Sequence, residues 1–193
     1  MRLWLVRHAA PCVLPGCCYG RLDVPADAHA NDHAAAALRA ALPARWAGWH
    51  SSRQRAAQLG QALGDPPAGP WRIDARLDEL DFGDWEGRAW DSIGRAALQA
   101  WVDDFAHHRP GGGESVAALL QRVLAALQEA ARLHPAGDVV WITHAGVIRA
   151  VDWLSRQGGV LRLPAARDWP LQAPGWGQWA VRLWPPEPTA CTR

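Results

Sequence analysis

The sequence of 193 residues contains no lysine, because all 20 of its basic residues are arginine. Catalysis through a lysine Schiff base is therefore excluded, and so is a nucleotide-binding P-loop, whose motif requires a lysine. Any phosphate group that this chain binds must be held by arginine, by histidine or by backbone N–H groups.

Net charge is also small, at +1 from 20 basic and 19 acidic residues. No broad positive field is available, so we expect neither nucleic acid nor an anionic membrane as a partner. No apolar run approaches the roughly 18 residues of a membrane span, and the amino terminus lacks the apolar core of a signal peptide.

Cysteine is scarce as well, and no two of the four cysteines form the C-x-x-C spacing of zinc and redox sites. They are Cys12, Cys17, Cys18 and Cys191. We expect free thiols and a cytoplasmic location for a protein with this cysteine usage.

The chain does contain enough apolar residues, 49% of the total, to bury a core. Its length and composition predict one domain over residues 1–193. The apolar runs Leu3–Val6 and Asp138–Thr143 predict buried parallel strands, and further strands are predicted at residues 46–50, 71–74 and 176–184. Helices are predicted at residues 33–42, from Ser51 or Ser52 to 63, and at 89–105, 114–133 and 145–155. This alternation predicts an α/β fold, a three-layer αβα sandwich with a mostly parallel sheet and helices on both faces.

Two of the predicted strands are followed at once by a histidine. His8 follows the first strand, and His144 follows the strand that ends at Thr143. Ligands of open α/β sheets bind beyond the carboxyl ends of the strands, so both rings are expected to face one crevice. Gly146 would let the backbone approach a ligand closely, and the helix that begins there would favour an anion.

Arginine and carboxylate side chains supply the other candidates. Arg7 precedes His8, and Arg55 lies in the first turns of the second helix, with Arg53 as a weaker alternative. Planar arginine donors match the oxygens of a phosphoryl group. Residues 77–87 carry five carboxylates among apolar residues; this segment is either a solvated acidic loop or the source of a general acid.

Four motifs resemble, in order along the chain, those of the histidine phosphatase superfamily, the group that contains cofactor-dependent phosphoglycerate mutase. They are Leu5-Val-Arg-His8, a stretch around Glu79 that fits L-x-E-x-x-F-G-x-W-E-G, Gly112-Gly-Glu-Ser115 and Thr143-His-Ala-Gly146. The resemblance covers residues 1–155 and implies a phosphoglycerate mutase-like fold. Ala9 and Ala145 stand where the family has glycine, and the family's S-S-P-L-x-R-A reads His50-Ser-Ser-Arg-Gln-Arg-Ala56, aligned on Arg55.

The resemblance implies a role for each matching residue. His8 would be the nucleophile that forms a phosphohistidine, and Glu79 would protonate the leaving oxygen and then activate water. The residues that would bind and stabilise the phosphoryl group are Arg7, Arg55 and His144. No metal and no cofactor is implied.

Within the family, Cys18–Pro25 resembles the Y-G-x-x-D-x-P segment of α-ribazole phosphatases, which act in cobalamin biosynthesis. The resemblance implies a small phosphomonoester as substrate, α-ribazole 5′-phosphate being the specific expectation. Tyr19, Gly20 and Arg21 are the candidate substrate-binding residues. The longer acid-site stretch and the R-R-S segment of the mutases are absent, so hydrolysis is favoured, with a mutase-type or broad-specificity phosphatase as the alternative.

Two readings from other classes stay open. The first is a metal- or haem-binding protein that uses His8, His144 and the cysteines at residues 12–18, although no metal-ligand spacing recurs. The second is a binding module with the same fold and no activity. Whether the protein forms a homodimer is also open.

Overall fold

The structure, a computed structural model that describes residues 1–185, is built on a five-stranded sheet. In spatial order the strands are β3 (Arg72–Ile73), β2 (Ala47–His50), β4 (Asp138–Thr143), β1 (Arg2–Arg7) and β5 (Trp179–Leu183). β5 pairs antiparallel with β1, whereas all other neighbours are parallel. The prediction of an α/β fold with a mostly parallel sheet is confirmed.

Helices cover both faces of this sheet. They are α1 (Ala28–Ala41), α2 (Gln54–Leu63), α3 (Arg95–Asp103), α4 (Val116–Leu133) and α5 (Ala145–Arg156). In β4, Val139 and Trp141 pack into the core cluster formed with α4 and α5, while Val140 and Ile142 pack into the cluster formed with α1 and α2. Continuous apolar strands thus bury both faces, as expected for a parallel sheet between two helical layers.

The predicted starts of α1 and α2 are wrong. α1 begins at Ala28 rather than His33, because the Asp27 side chain accepts a hydrogen bond from the Ala30 N–H and caps the helix earlier. Neither Ser51 nor Ser52 caps α2: Arg53 is the N-cap residue, and the Gln54 N–H is bonded by the Asp23 carboxylate instead.

The predicted continuous helix over residues 89–105 is also divided. A short 3-10 helix spans Trp90–Ser92, and α3 begins only after Gly94. Glycine favours the N-cap over a helix interior, which explains the break.

The acidic segment at residues 77–87 is an ordered loop that packs on the glycine-rich turn before α4. A Cβ atom added to Gly83 would lie 2.1 Å from the Gly111 carbonyl oxygen, and one added to Gly113 would lie 2.1 Å from the Asp81 carbonyl oxygen. Gly83 and Gly111 both have positive φ, at 53° and 58°. The two loops therefore approach so closely that only glycine fits at the contact.

No helix in residues 1–185 is long and apolar enough to cross a membrane. Cys12, Cys17 and Cys18 are free thiols, and burial raises the pKa of Cys18 to about 12. Cys191 lies outside the described residues.

Candidate active site

The two histidines predicted to share a crevice lie side by side. β1 and β4 are parallel neighbours with Arg7 opposite Thr143, so the residues that follow them are also adjacent. The His8 N–H donates to the Thr143 carbonyl at 3.0 Å, and the imidazole centroids of His8 and His144 are 5.0 Å apart. Both side chains are buried.

His8 is held as a neutral imidazole with a free nitrogen. Its Nδ1 lies 2.7 Å from the Ala9 carbonyl oxygen, which can only accept, so Nδ1 carries the proton and Nε2 keeps its lone pair. Burial, with the positive charges of Arg55 and Arg7, lowers the pKa of His8 to about 3. The ring is therefore unprotonated at Nε2 throughout the neutral range, as a nucleophile must be.

His144 is fixed by Ser51, which the sequence analysis treated only as a possible helix cap. The Ser51 Oγ lies 2.7 Å from His144 Nε2 and also accepts a hydrogen bond from the Arg53 N–H. No third partner is available to the Ser51 hydroxyl in the described residues, so its own proton is satisfied only if it donates to Nε2. The His144 proton then resides on Nδ1, which is buried and without a hydrogen-bond partner in the same part of the chain.

Burial, followed by the charge of Arg55, also lowers the pKa of His144 well below its usual value. A neutral His144 with its proton on Nδ1 is a hydrogen-bond donor rather than a base. Because it lies beside a neutral His8, the pair presents one lone pair and one N–H group.

Two arginines that the sequence analysis singled out add donors to this pocket. Arg55 is completely buried, donates to the carbonyls of Gly20 and Leu22, and lies 5.2 Å from the centroid of the Tyr19 ring. Arg7 donates to the Pro174 carbonyl. In each arginine the buried Nε has no hydrogen-bond partner within residues 1–185.

Arg53, the alternative to Arg55, is engaged elsewhere. Its Nε and Nη2 donate to the Asp78 carboxylate at 3.1 and 2.7 Å, and its Nη1 donates to the Arg21 carbonyl. Ser52 donates to the same carboxylate. The adjacent serines therefore have different contacts: Ser51 lies against His144, and Ser52 donates to the Asp78 carboxylate that pairs with Arg53.

Glu79, the candidate general acid, is positioned by the amino terminus of α5. Its Oε2 accepts from the Gly146 N–H at 3.0 Å, and its Oε1 accepts from the Leu80 N–H. A Cβ atom on residue 146 would lie 2.1 Å from Glu79 Oε1, so a larger residue there would displace the Glu79 carboxylate. The close approach expected at Gly146 is therefore observed, but the anion that this structure places there is the protein's own carboxylate.

Arg122 on α4 holds the main chain of the Glu79 segment, and the sequence analysis missed it. Its Nη1 donates to the carbonyls of Arg76 and Asp78, and its Nη2 donates to the Glu79 carbonyl. Nε and Nη2 also form a two-point ion pair with Glu114 at 2.7 and 2.8 Å. The sequence feature that could have indicated this ion pair is Glu114 of the Gly-Gly-Glu-Ser motif, which lies eight residues before Arg122.

The three candidate substrate-binding residues lie in different environments. The Tyr19 ring is 6.4 Å from the His8 ring, edge to face. Gly20 is buried against the Leu80 carbonyl and contributes its own carbonyl to Arg55. Arg21 is largely exposed and pairs with Asp81.

Taken together, the pocket combines the Nε2 lone pair of His8 with unpartnered N–H groups on Arg7, Arg55 and His144, beside the Glu79 carboxylate. A nucleophile among donors of this kind is complementary to a tetrahedral oxyanion. Among the described residues, no group of three or more histidine, cysteine, aspartate or glutamate side chains is placed to hold a metal ion.

Comparison with known families agrees with this geometry. Residues 3–159 match the model of the histidine phosphatase superfamily (branch 1). The chain belongs to this superfamily, as the motifs indicated.

The individual proteins that are similar to this chain are named for different activities. A glucosyl-3-phosphoglycerate phosphatase of Mycolicibacterium vanbaalenii is 34% identical over 131 residues, which are 63% of this chain and 55% of the relative. An adenosylcobalamin/α-ribazole phosphatase of Escherichia coli is 25% identical over 164 residues, 77% of this chain and 75% of the relative. The crystal structure of a phosphoglycerate mutase from Thermus thermophilus superposes with a TM-score of 0.70 at 28% identity, covering 96% of this chain and 95% of that one. The match thus spans about half the length of the mycobacterial relative, whereas the mutase-like fold extends over nearly the whole chain.

Proposed function

We propose that this protein is a metal-independent phosphomonoester hydrolase that acts through a phosphohistidine on His8. The observation that carries the proposal is the hydrogen bond from His8 Nδ1 to the Ala9 carbonyl, which leaves a neutral, buried Nε2 among unpartnered donors. A structural histidine at a strand end would not require three donors without partners around it.

The reaction has two steps. In the first step Glu79 is the protonated carboxylic acid: His8 Nε2 attacks phosphorus, the bond to the leaving oxygen breaks, and Glu79 delivers its proton to that oxygen. Water then attacks the phosphohistidine, the phosphorus–nitrogen bond breaks, and the Glu79 carboxylate takes the proton of the water, which restores the acid. Arg7, Arg55 and His144 donate to the phosphoryl oxygens in both steps, and the two arginines supply the positive field that a metal ion provides in other phosphatases.

The first experiment traps the intermediate. Protein incubated with a 32P-labelled phosphomonoester and denatured at alkaline pH should carry acid-labile, base-stable label on His8. His8→Ala should lose the label and all measurable turnover, because the nitrogen that attacks phosphorus is removed. Label on serine or aspartate, or substantial turnover by His8→Ala, contradicts the proposal.

A matched control uses a second buried histidine outside the pocket. His50 likewise donates from Nδ1 to a backbone carbonyl, that of Ser51, but its ring packs against Trp71. His50→Ala should retain both label and turnover if it folds, which separates loss of the nucleophile from loss of a buried imidazole.

The specific substrate proposed is α-ribazole 5′-phosphate, supported by the Cys18–Pro25 segment and by the Escherichia coli relative. That segment contacts Arg55 through the carbonyls of Gly20 and Leu22, so part of its pattern serves phosphate binding whatever the leaving group. Glucosyl-3-phosphoglycerate is the second candidate, favoured by the higher identity to the mycobacterial relative.

Turnover of these two compounds, of 3-phosphoglycerate and of p-nitrophenyl phosphate should be compared at equal enzyme concentration. A kcat/KM for α-ribazole 5′-phosphate well above the others supports the specific proposal. Release of inorganic phosphate separates hydrolysis from mutase activity, which would instead produce 2-phosphoglycerate from 3-phosphoglycerate.

A further inference from the structure

A small aromatic cavity adjoins the Glu79 carboxylate on the side of α5. Its volume is about 140 Å³, and Glu79 and Gly146 form one end. The rings that line it are Phe82, Trp101, Phe105 and Trp169. Successive centroids along this wall are 6.0, 5.6 and 5.6 Å apart, so the rings form one continuous surface.

Arg149 introduces a cation into this apolar cavity. It lies one turn after Gly146 on α5 and lines the cavity together with Glu79. Its Nη2 donates to the Leu171 carbonyl at 3.1 Å, but its buried Nε has no hydrogen-bond partner among residues 1–185. Burial lowers the pKa of Arg149. A partly buried guanidinium with an unsatisfied N–H group costs stability unless a ligand supplies an acceptor.

A second, larger depression of about 590 Å³ also borders residue 79, and three of its four arginines are paired with carboxylates, while the fourth, Arg109, donates to the Gly113 carbonyl. There Arg53 pairs with Asp78, Arg122 with Glu114 and Arg21 with Asp81. Arg122 donates to the Glu79 carbonyl, whereas the Glu79 carboxylate accepts from the Gly146 N–H. Of the two cavities, Gly146 lines only the aromatic one. The reactive end of Glu79 therefore belongs to the aromatic cavity.

From this arrangement we infer that the aromatic cavity binds the alcohol half of the substrate, and that Arg149 binds an anionic group, such as a carboxylate, on that half. The inference rests on the hydrolase activity proposed above, since it places the leaving oxygen at Glu79. It competes with the two specific substrates proposed there, because α-ribazole carries no anionic group and the alcohol halves of both compounds are larger than this cavity. A cavity of roughly 150 Å³ holds one benzene ring, so the ligand class is a phosphomonoester with a compact, apolar or aromatic leaving group that carries an anion. Arg149 is then a specificity-determining residue, separate from the arginines that bind phosphate.

The test uses two probes of the same shape, 3-carboxyphenyl phosphate and 3-carbamoylphenyl phosphate, which differ only in the negative charge. After correction for leaving-group pKa, the wild-type enzyme should prefer the carboxylate in kcat/KM. Arg149→Gln should reduce that preference by roughly 10- to 100-fold, the range expected for one lost charge-assisted hydrogen bond. The exposed Arg156 on the same helix supplies the control, and Arg156→Gln should keep the wild-type preference.

Each outcome separates this inference from the proposed function. If the wild-type enzyme hydrolyses both probes and p-nitrophenyl phosphate but shows no preference for the carboxylate, the inference is overturned and the hydrolase proposal stands. This wild-type comparison decides the matter even if Arg149→Gln does not fold. If Arg149→Gln lowers kcat/KM equally for both probes, Arg149 acts on the phosphoryl group or on Glu79, and the inference is again overturned. If no phosphate is released from any of the three compounds, the proposed function itself fails.

Discussion

At the scale of single residues, the site depends on which nitrogen of each histidine carries the proton. His8 has its proton on Nδ1 because the Ala9 carbonyl accepts it, and His144 has its proton on Nδ1 because Ser51 occupies Nε2. The same tautomer therefore serves opposite purposes. In His8 it frees a lone pair for attack, and in His144 it presents a donor.

Ser51→Ala removes the partner of His144 Nε2, so His144 can adopt the other tautomer and lose its Nδ1–H donor. We expect kcat to fall by about 10-fold, less than the roughly 100- to 1,000-fold for deleting a transition-state donor outright, because the His144 ring itself remains. Ser52→Ala is the control, because it deletes a neighbouring hydroxyl that contacts Asp78 rather than His144. The 15N shifts of the His144 ring report the tautomer directly; an unchanged tautomer in Ser51→Ala would refute this role.

The lowered pKa of His8 predicts how stability depends on pH. The folded-state pKa is about 3 and the unfolded value about 6.5. The unfolded chain therefore binds more protons between these values, and stability is lost as pH falls through this window. Between pH 6.5 and 4.5, wild-type protein should lose about 2 kcal/mol more free energy of unfolding than His8→Gln.

Urea unfolding of both proteins in phosphate-free buffer measures this difference, and equal losses would show that His8 is not buried as a neutral ring. His144 remains in both proteins, and its pKa is lowered mainly by burial, so its contribution is similar in the two.

At the scale of secondary-structure elements, α4 fixes the active-site geometry from a distance. Arg122→Met removes three bonds to backbone carbonyls and the ion pair with Glu114. We expect a loss of about 2 kcal/mol or more in the free energy of unfolding. Because Glu79 loses its anchor, kcat should fall more for alkyl phosphates, which need a proton on the leaving oxygen, than for p-nitrophenyl phosphate.

Arg132→Met, an exposed change on the same helix, provides the comparison for Arg122→Met and should leave stability and both kcat values near wild type. A uniform fall in kcat for the two substrate types in Arg122→Met would mean that α4 does not position the acid.

The sequence predicted secondary-structure elements best where a single local pattern, such as an apolar run, determines the element. The apolar runs of β1 and β4 identified the buried strands, and strand topology then implied that His8 and His144 would meet. The start of α1 and the break before α3 were missed because Asp27 and Gly94 act through local capping that the Ala-rich pattern obscured. Contacts such as Arg122 with the Glu79 carbonyl depend on tertiary packing between distant segments, and no periodicity reports them.

At the scale of the whole molecule, the proposed mechanism uses arginine charge where other phosphatases use a metal ion. The candidate site holds two neutral histidines beside the half-buried Arg7 and the buried Arg55. Exhaustive dialysis against EDTA should therefore leave kcat/KM and the unfolding midpoint unchanged. Activity that is lost and then restored by added Zn²⁺ or Mg²⁺ would favour the metal-binding alternative.

The adjacency of β1 and β4 also has a consequence for biosynthesis. The two strands that precede the histidines are direct neighbours in the sheet, yet β1 ends at Arg7 and β4 begins only at Asp138. A nascent chain can pair them only after the ribosome has released β4 and the start of α5. Because His8 and His144 follow these two strands, the candidate site cannot assemble before residue 144 has been synthesised.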